Sequence, residues 1–312
     1  MRKYLIFILS MYVISCSVEL DYNAPAFEPK LVINGFLQPD SLISINVRST
    51  SPILSRENVF IEDAEVTLSV NGEFVETLTY KGSGNYKSEI QRPETGKVYS
   101  VEIIADGYDK VTASDTIPGN VKILTASMVK GNTYNEYGDP DTDYNLSFAD
   151  GKETDYYELM FIGQSPPTAF NSKYTIGIMR GVVIADPVMK DDSDLDLNPP
   201  TFLFTDNLFQ GENYTLNVKM NAGSGGDFTS PIVPAFESGH FVVLRSVSHS
   251  YYKYVKSWYR HKLGKQEANK IEAFMLIPLL GDPAEMYSNI EGGYGIFTSF
   301  YQSYYKVENL TN

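Results

Sequence analysis

Between residues 30 and 117 apolar side chains recur at every second position in short runs, and turn-forming residues stop each run. Successive side chains of an extended strand point to opposite faces, so a period of two commits this segment to half-buried strands. Leu31-Val32-Ile33 opens the series, and Leu42 to Val47 alternates through Ile43, Ile45 and Val47. Val66, Leu68 and Val70 alternate with Thr67 and Ser69, and Asn71-Gly72 then supplies a two-residue hairpin turn. Phe74 to Tyr80 returns along the partner strand, and Lys81 to Asn85 turns again ahead of Tyr86 to Ile90. Val98 to Ala105 pairs with Lys110 to Thr116 around Asp106-Gly107-Tyr108. About seven strands in so short a stretch predict a β-sandwich of immunoglobulin-like size.

Ile117-Pro118-Gly119-Asn120 closes that unit, which places a sandwich domain over 30–118 and a second domain over 119–312. The second domain stays β-rich and less regular. Its strands are expected at Val121 to Met128, Tyr144 to Phe148, Tyr156 to Ile162, Tyr174 to Met179, Thr201 to Phe204, Tyr214 to Met220 and Phe241 to Val247. Long polar insertions, Gly131 to Asp143 and Asp186 to Pro200, separate some of them. One helix is expected over 250–262, where Tyr251, Tyr254, Val255 and Trp258 share a face, Ser248 or Ser250 caps the start and Gly264 ends it. No repeat of fixed period appears, which argues against solenoids and propellers.

The first fifteen residues form a signal peptide. Arg2 and Lys3 start it, and Leu5 to Val13 is an apolar run of roughly nine residues, within the 7–15 of a signal core. A membrane-spanning helix needs about 20. Val13-Ile14-Ser15-Cys16 then resembles the bacterial lipobox: a small residue gives the peptidase access to the bond, and the Cys16 thiol takes the diacylglyceryl group. Cys16 is the lipidation site and the only cysteine, so the chain has neither a disulfide nor residual thiol chemistry. Residues 16–29, with Pro25 and Pro29, form the lipidated tether. About 300 mature residues suffice to bury a sizeable core. The chain carries 25 basic and 39 acidic residues; without Arg2 and Lys3 the balance is 23 to 39, a net charge of −16. Nucleic acid is excluded as a partner, because phosphate binding relies on clustered lysine and arginine.

Residues that carry chemistry are few. Asp139, Asp141 and Asp143 alternate, as do Asp192, Asp194 and Asp196, and clustered carboxylates suit a hard cation such as Ca²⁺. An EF-hand loop requires glycine sixth and glutamate twelfth; from Asp192 those positions hold Leu197 and Leu203, and from Asp139 they hold Tyr144 and Asp150. Asp192, Asp194 and Asp196 therefore stand as candidates for a looser site, against solvated surface loops. His240, His249 and His261 have no metal-ligand spacing, no G-x-S-x-G elbow occurs, and Gly292-Gly293-Tyr294-Gly295 lacks the Lys-Ser/Thr of a phosphate loop and reads as a backbone turn. No catalytic residue and no cofactor is assigned. The 23 tyrosines serve either strand packing or a contact surface.

Gly96 to Glu102 with Asp106-Gly107-Tyr108 resembles transthyretin-like and carboxypeptidase-regulatory modules. The segment Leu244-Arg245-Ser246-Val247-Ser248-His249-Ser250-Tyr251-Tyr252-Lys253-Tyr254, followed by Tyr287-Ser288-Asn289-Ile290-Glu291-Gly292-Gly293-Tyr294-Gly295-Ile296-Phe297, is more telling. Together with the early Leu-Val-Ile-x-Gly run from Leu31 to Gly35, this pair resembles a family of Bacteroidota envelope lipoproteins, domain of unknown function 4249. The resemblance spans the mature chain. It implies a lipid-anchored β-sandwich protein of the outer membrane, similar to lipoproteins that accompany TonB-dependent receptors, and it carries over no catalytic residue. Glu19 and Asp21 resemble an acidic surface-export signal, from which Ser17 and Val18 depart, so either membrane face stays open. Three function classes follow: a non-enzymatic partner of a TonB-dependent receptor, a structural or adhesive surface module, and a hydrolase with a dispersed site.

Overall fold

The computed structural model describes residues 27–52, 55, 57–134, 138, 140–168, 175–179, 182–184, 186–190, 201–220, 224–227, 238–271 and 284–310. The signal segment, Cys16, most of the tether, and Asp139, Asp192, Asp194 and Asp196 lie outside the described residues. The chain is mainly β. Its first nine strands are β1 (Leu31–Leu37), β2 (Ser44–Ser49), β3 (Val59–Phe60), β4 (Glu65–Val70), β5 (Glu73–Thr77), β6 (Thr79–Tyr80), β7 (Asn85–Lys87), β8 (Val98–Ile104) and β9 (Val111–Thr116). Then come β10 (Lys122–Tyr134), β11 (Pro140–Ala149), β12 (Tyr156–Ser165), β13 (Thr175–Met179), β14 (Val182–Ile184) and the short helix α1 (Pro187–Lys190). The chain continues with β15 (Phe202–Thr205), β16 (Asn213–Met220), β17 (Ser224–Asp227) and β18 (Gly239–Val247). Helix α2 (His249–Ile271) precedes β19 (Tyr294–Lys306) and β20 (Glu308–Asn309).

These strands make three sheets. The longest runs β17-β13-β12-β18-β19-β1-β2-β7-β6, with β15 also on β12 and β3 also on β2. A four-stranded sheet, β5-β4-β8-β9, covers its N-terminal end, and a five-stranded sheet, β14-β16-β11-β10-β20, covers the other. The period of two explains the first core. Ile33, Ile45 and Val47 alternate inward from β1 and β2 to meet Val66, Leu68, Tyr99, Val101 and Ile103 from the covering sheet. At the expected Asn71-Gly72 hairpin the two φ angles are 51° and 85°, the left-handed pair that a two-residue turn matched to strand twist requires.

The second core has a different logic. Strand β12 is buried almost without a break, in the pattern of a strand covered on both faces. Tyr157, Leu159 and Phe161 join Leu146, Phe148, Leu216 and Val218 of the five-stranded sheet. Met160 and Ile162, on the opposite face, pack with Ile178, Phe241 and Val243.

β19 joins the two halves. Its first part runs parallel to β1, from Val32↔Tyr294 to Leu37↔Ser299. Its second part runs antiparallel to β18, from Val247↔Phe300 to Phe241↔Lys306. Phe297 of this last long strand thereby enters the N-terminal core. The boundary expected at 118–119 is thus bridged by one continuous sheet.

The helix departs from expectation at its end and on its face. It continues past Gly264 to Ile271, because one interior glycine costs only about 1 kcal/mol and helix-forming Lys265 to Ala268 follow. Over 249–262 its buried residues are Tyr251, Tyr252 and Tyr259, while Tyr254 and Trp258 are half-buried. Tyr251 and Tyr252 pack with Leu203, Val247 and Phe300 of the central sheet, joined by Val255 of the expected face, and Tyr259 OH lies 3.1 Å from Thr201 Oγ1. The described residues contain no helix long and apolar enough to cross a membrane.

Candidate functional site

Two of the alternating aspartates expected in a loop are strand residues. Asp141 and Asp143 lie in β11, because β10 and β11 extend as a hairpin into the polar insertion. Asp141 is buried and accepts a hydrogen bond from Thr133 Oγ1, and Asp143 pairs with Lys219 Nζ at 3.2 Å. Among the described residues neither belongs to a group of three or more clustered ligand side chains.

The structure assembles another aspartate group, from residues that sequence spacing does not connect. Asp150 and Asp155 bracket the turn between β11 and β12, and Asp206 opens the turn between β15 and β16. One carboxylate oxygen from each lies within 4.8 Å of the others. Tyr157 of β12 donates its hydroxyl to Asp150 Oδ1, and Gly211 N donates to Asp150 Oδ2 at 2.7 Å. Asp155 N donates to Asp206 Oδ2 at 3.0 Å. Asp206 is 1% exposed, and among the described residues no donor reaches its Oδ1. The two turns are also tied by Gln210 Nε2 donating to Lys152 O at 3.3 Å. Burial, then the charges of Asp150 and Asp206, push the Asp155 carboxyl up to about 6. Burial followed by the Asp150 bond raises the Tyr157 hydroxyl. Asp150-Gly151 and Asp206-Asn207 lie in turns far apart in sequence, and the pairing of β12 with β15 brings them together.

The two motifs that carried the family resemblance meet at the sheet joint. Gly35 of β1 stands opposite Phe297 of β19, and a Cβ on Gly35 would lie 2.8 Å from the Phe297 ring. Asn289 holds the backbone of Phe297 from both sides: its Nδ2 donates to Phe297 O at 2.7 Å and its Oδ1 accepts from Phe297 N at 3.0 Å. Ser248 is the helix cap, accepting from Tyr251 N at 3.2 Å, and its hydroxyl bonds Thr298 at 2.9 Å. Ser299 Oγ donates to Asp115 Oδ2 at 2.7 Å, which fastens β19 to the end of β9.

Beside this joint a charged group is buried. Glu158, Arg245 and Gln302 form one cross-strand row on β12, β18 and β19. Arg245 Nη1 reaches Glu158 Oε2 at 2.7 Å and Tyr251 OH at 2.9 Å, and its Nε donates to Gln302 Oε1 at 2.9 Å. Tyr251 OH donates to Glu158 Oε2 at 2.6 Å, and Phe300 stacks against the guanidinium at 4.5 Å. Burial lowers the tendency of Arg245 to stay charged, but the Tyr251 and Glu158 oxygens outweigh it and raise its pKa. Burial, then Glu158, holds the Tyr251 hydroxyl well above the ordinary phenol range.

The histidines are spent on other contacts. His240 Nδ1 lies 2.8 Å from Tyr144 OH, His249 Nδ1 lies 2.8 Å from Tyr156 OH, and His261 Nδ1 donates to Ala284 O at 2.7 Å. Many tyrosines pack inside, Tyr86, Tyr99, Tyr144 and Tyr157 among them, while Tyr134 and Tyr294 are exposed.

No curated protein matches the chain. A solved structure from Corynebacterium diphtheriae, described as membrane anchored, aligns with 73% of this chain at 11% identity and a TM-score of 0.19. The alignment covers 56% of that protein, so this chain spans little more than half of its length. A family model described as "Domain of unknown function (DUF4249)" matches residues 17–305, from the residue after Cys16 through nearly all of β19. The chain belongs to the DUF4249 family.

Proposed function

We propose that this chain is a lipid-anchored protein of the outer membrane of a Bacteroidota cell, which assists a TonB-dependent receptor in capturing or passing on a ligand and has no catalysis of its own. The observation that carries the proposal is the Val13-Ile14-Ser15-Cys16 sequence behind a short apolar run, with the family match beginning at residue 17. Each methylene of an acyl chain contributes about 0.8 kcal/mol of membrane affinity, so several chains on Cys16 give a firm anchor. A mature charge of −16 keeps the body in solution, away from anionic lipid. The Cys16 anchor and the tether supply reach, and two linked β-rich halves supply surface for contact. The signature motifs support a non-enzymatic reading, since their residues are used in joining β1 to β19 and capping α2. The histidines' bonds to tyrosines and a backbone carbonyl support it too.

Purification of the tagged, lipidated protein from detergent-solubilised outer membrane is expected to recover a TonB-dependent receptor in near-stoichiometric amount. Recovery of the lipoprotein alone, under conditions that keep known receptor complexes intact, contradicts the proposal.

A further inference from the structure

We propose that Asp150, Asp155 and Asp206 together bind one calcium ion that clamps the β11–β12 turn to the β15–β16 turn. This goes beyond the anchoring and receptor roles and does not depend on them.

Three carboxylate oxygens within 4.8 Å of one another match the spread of ligands around calcium, which holds oxygens at roughly 2.3–2.6 Å and so separates opposite ligands by up to about 5 Å. Among the described residues no ion pair neutralises any of the three, although five other ion pairs form elsewhere. The surrounding donors fix the carboxylates without using them up. Tyr157 and Gly211 orient Asp150, and Asp155 N holds one oxygen of Asp206. Among the described residues, no donor reaches the other oxygen of Asp206, which is inaccessible to solvent. A buried carboxylate oxygen with no partner is costly, and a cation is the missing partner that this geometry fits.

The donor set selects the ion. With oxygen ligands only, and no histidine or cysteine in the group, the site favours a hard cation over zinc or copper. Magnesium demands near-ideal octahedral geometry at about 2.0–2.1 Å and keeps its waters, whereas calcium accepts irregular ligands drawn from two separate turns.

The test uses the full-length protein, stripped with chelator and titrated with CaCl₂ by calorimetry. The expected result is one ion per chain with a sub-millimolar Kd, and a melting temperature several degrees higher in excess CaCl₂ than in EDTA. Asp155→Asn and Asp206→Asn are each expected to weaken binding at least ~10-fold, as loss of one charged ligand implies, with Asp109→Asn at the exposed β8–β9 turn leaving it within ~2-fold. Absence of calcium heat and of any melting shift in the wild-type protein overturns the proposal, without reliance on a variant that folds poorly. Full binding in both Asp155→Asn and Asp206→Asn, or magnesium binding as tight as calcium, overturns it equally.

Discussion

Replacing Arg245 by alanine lowers the unfolding free energy by about 3–5 kcal/mol, the cost of leaving one member of a buried ion pair unpaired. The side chains of Arg245 and Glu158 are 12% and 4% exposed, so solvent does little to relieve the carboxylate left behind. The loss spreads beyond the pair, because Arg245 also binds Tyr251 and Gln302 and lies against Phe300. Those contacts hold α2 and β19 on the central sheet. Urea denaturation followed by far-UV circular dichroism measures the effect. The double variant Glu158→Gln with Arg245→Met is expected to recover a large part of it, since it removes both charges together. An Arg245→Ala protein within about 1 kcal/mol of wild type would show that the pair contributes little.

Gly295→Ala gives the second large effect. Gly295 has φ +107°, a region that side chains disfavour, and a Cβ there would lie 2.0 Å from Ile33 O. The obstructing atom is backbone within the β1–β19 pairing, so no side-chain rotation relieves the clash. Strain of about 1–3 kcal/mol at the residue adds to the loss of parallel pairing, for a total of at least ~3 kcal/mol. Amide exchange is expected to accelerate along β1 and the first half of β19, with the β10–β11 hairpin less affected. Gly119→Ala is the control: its added Cβ meets nothing within 4 Å, and the expected change is within ~0.5 kcal/mol.

Both predictions fall on residues whose roles were hidden in the sequence. The N-terminal strands were legible because a half-exposed strand writes its burial as alternation, as Val66, Leu68 and Val70 do. β12 was legible as a strand, but its burial on both faces gave no hint of which neighbours covered it. β19 was not read as a strand at all. Its glycine-rich start looked like a turn, and its partner β1 lies more than 250 residues away, beyond any local signal. Gly35 and Phe297 became a matched pair only through that register. The same non-locality concealed the aspartate group, since Asp206 reaches Asp155 through the pairing of β15 with β12. The helix misled in the opposite direction. Of the expected face, Tyr251 is buried and Val255 packs beside it on the sheet, yet Tyr252 and Tyr259 are buried where the helical period had pointed to Tyr254 and Trp258.

Anchorage through Cys16 is tested most directly by fractionating cells that express wild-type protein and Cys16→Ser. The wild-type chain is expected in the outer-membrane fraction, with acyl groups on an N-terminal Cys16 by mass spectrometry. The serine variant is expected to leave that fraction and retain the folded chain's melting transition. Cys16→Ser protein that still sediments quantitatively with the outer membrane, or wild-type protein whose Cys16 carries no lipid, contradicts the anchor.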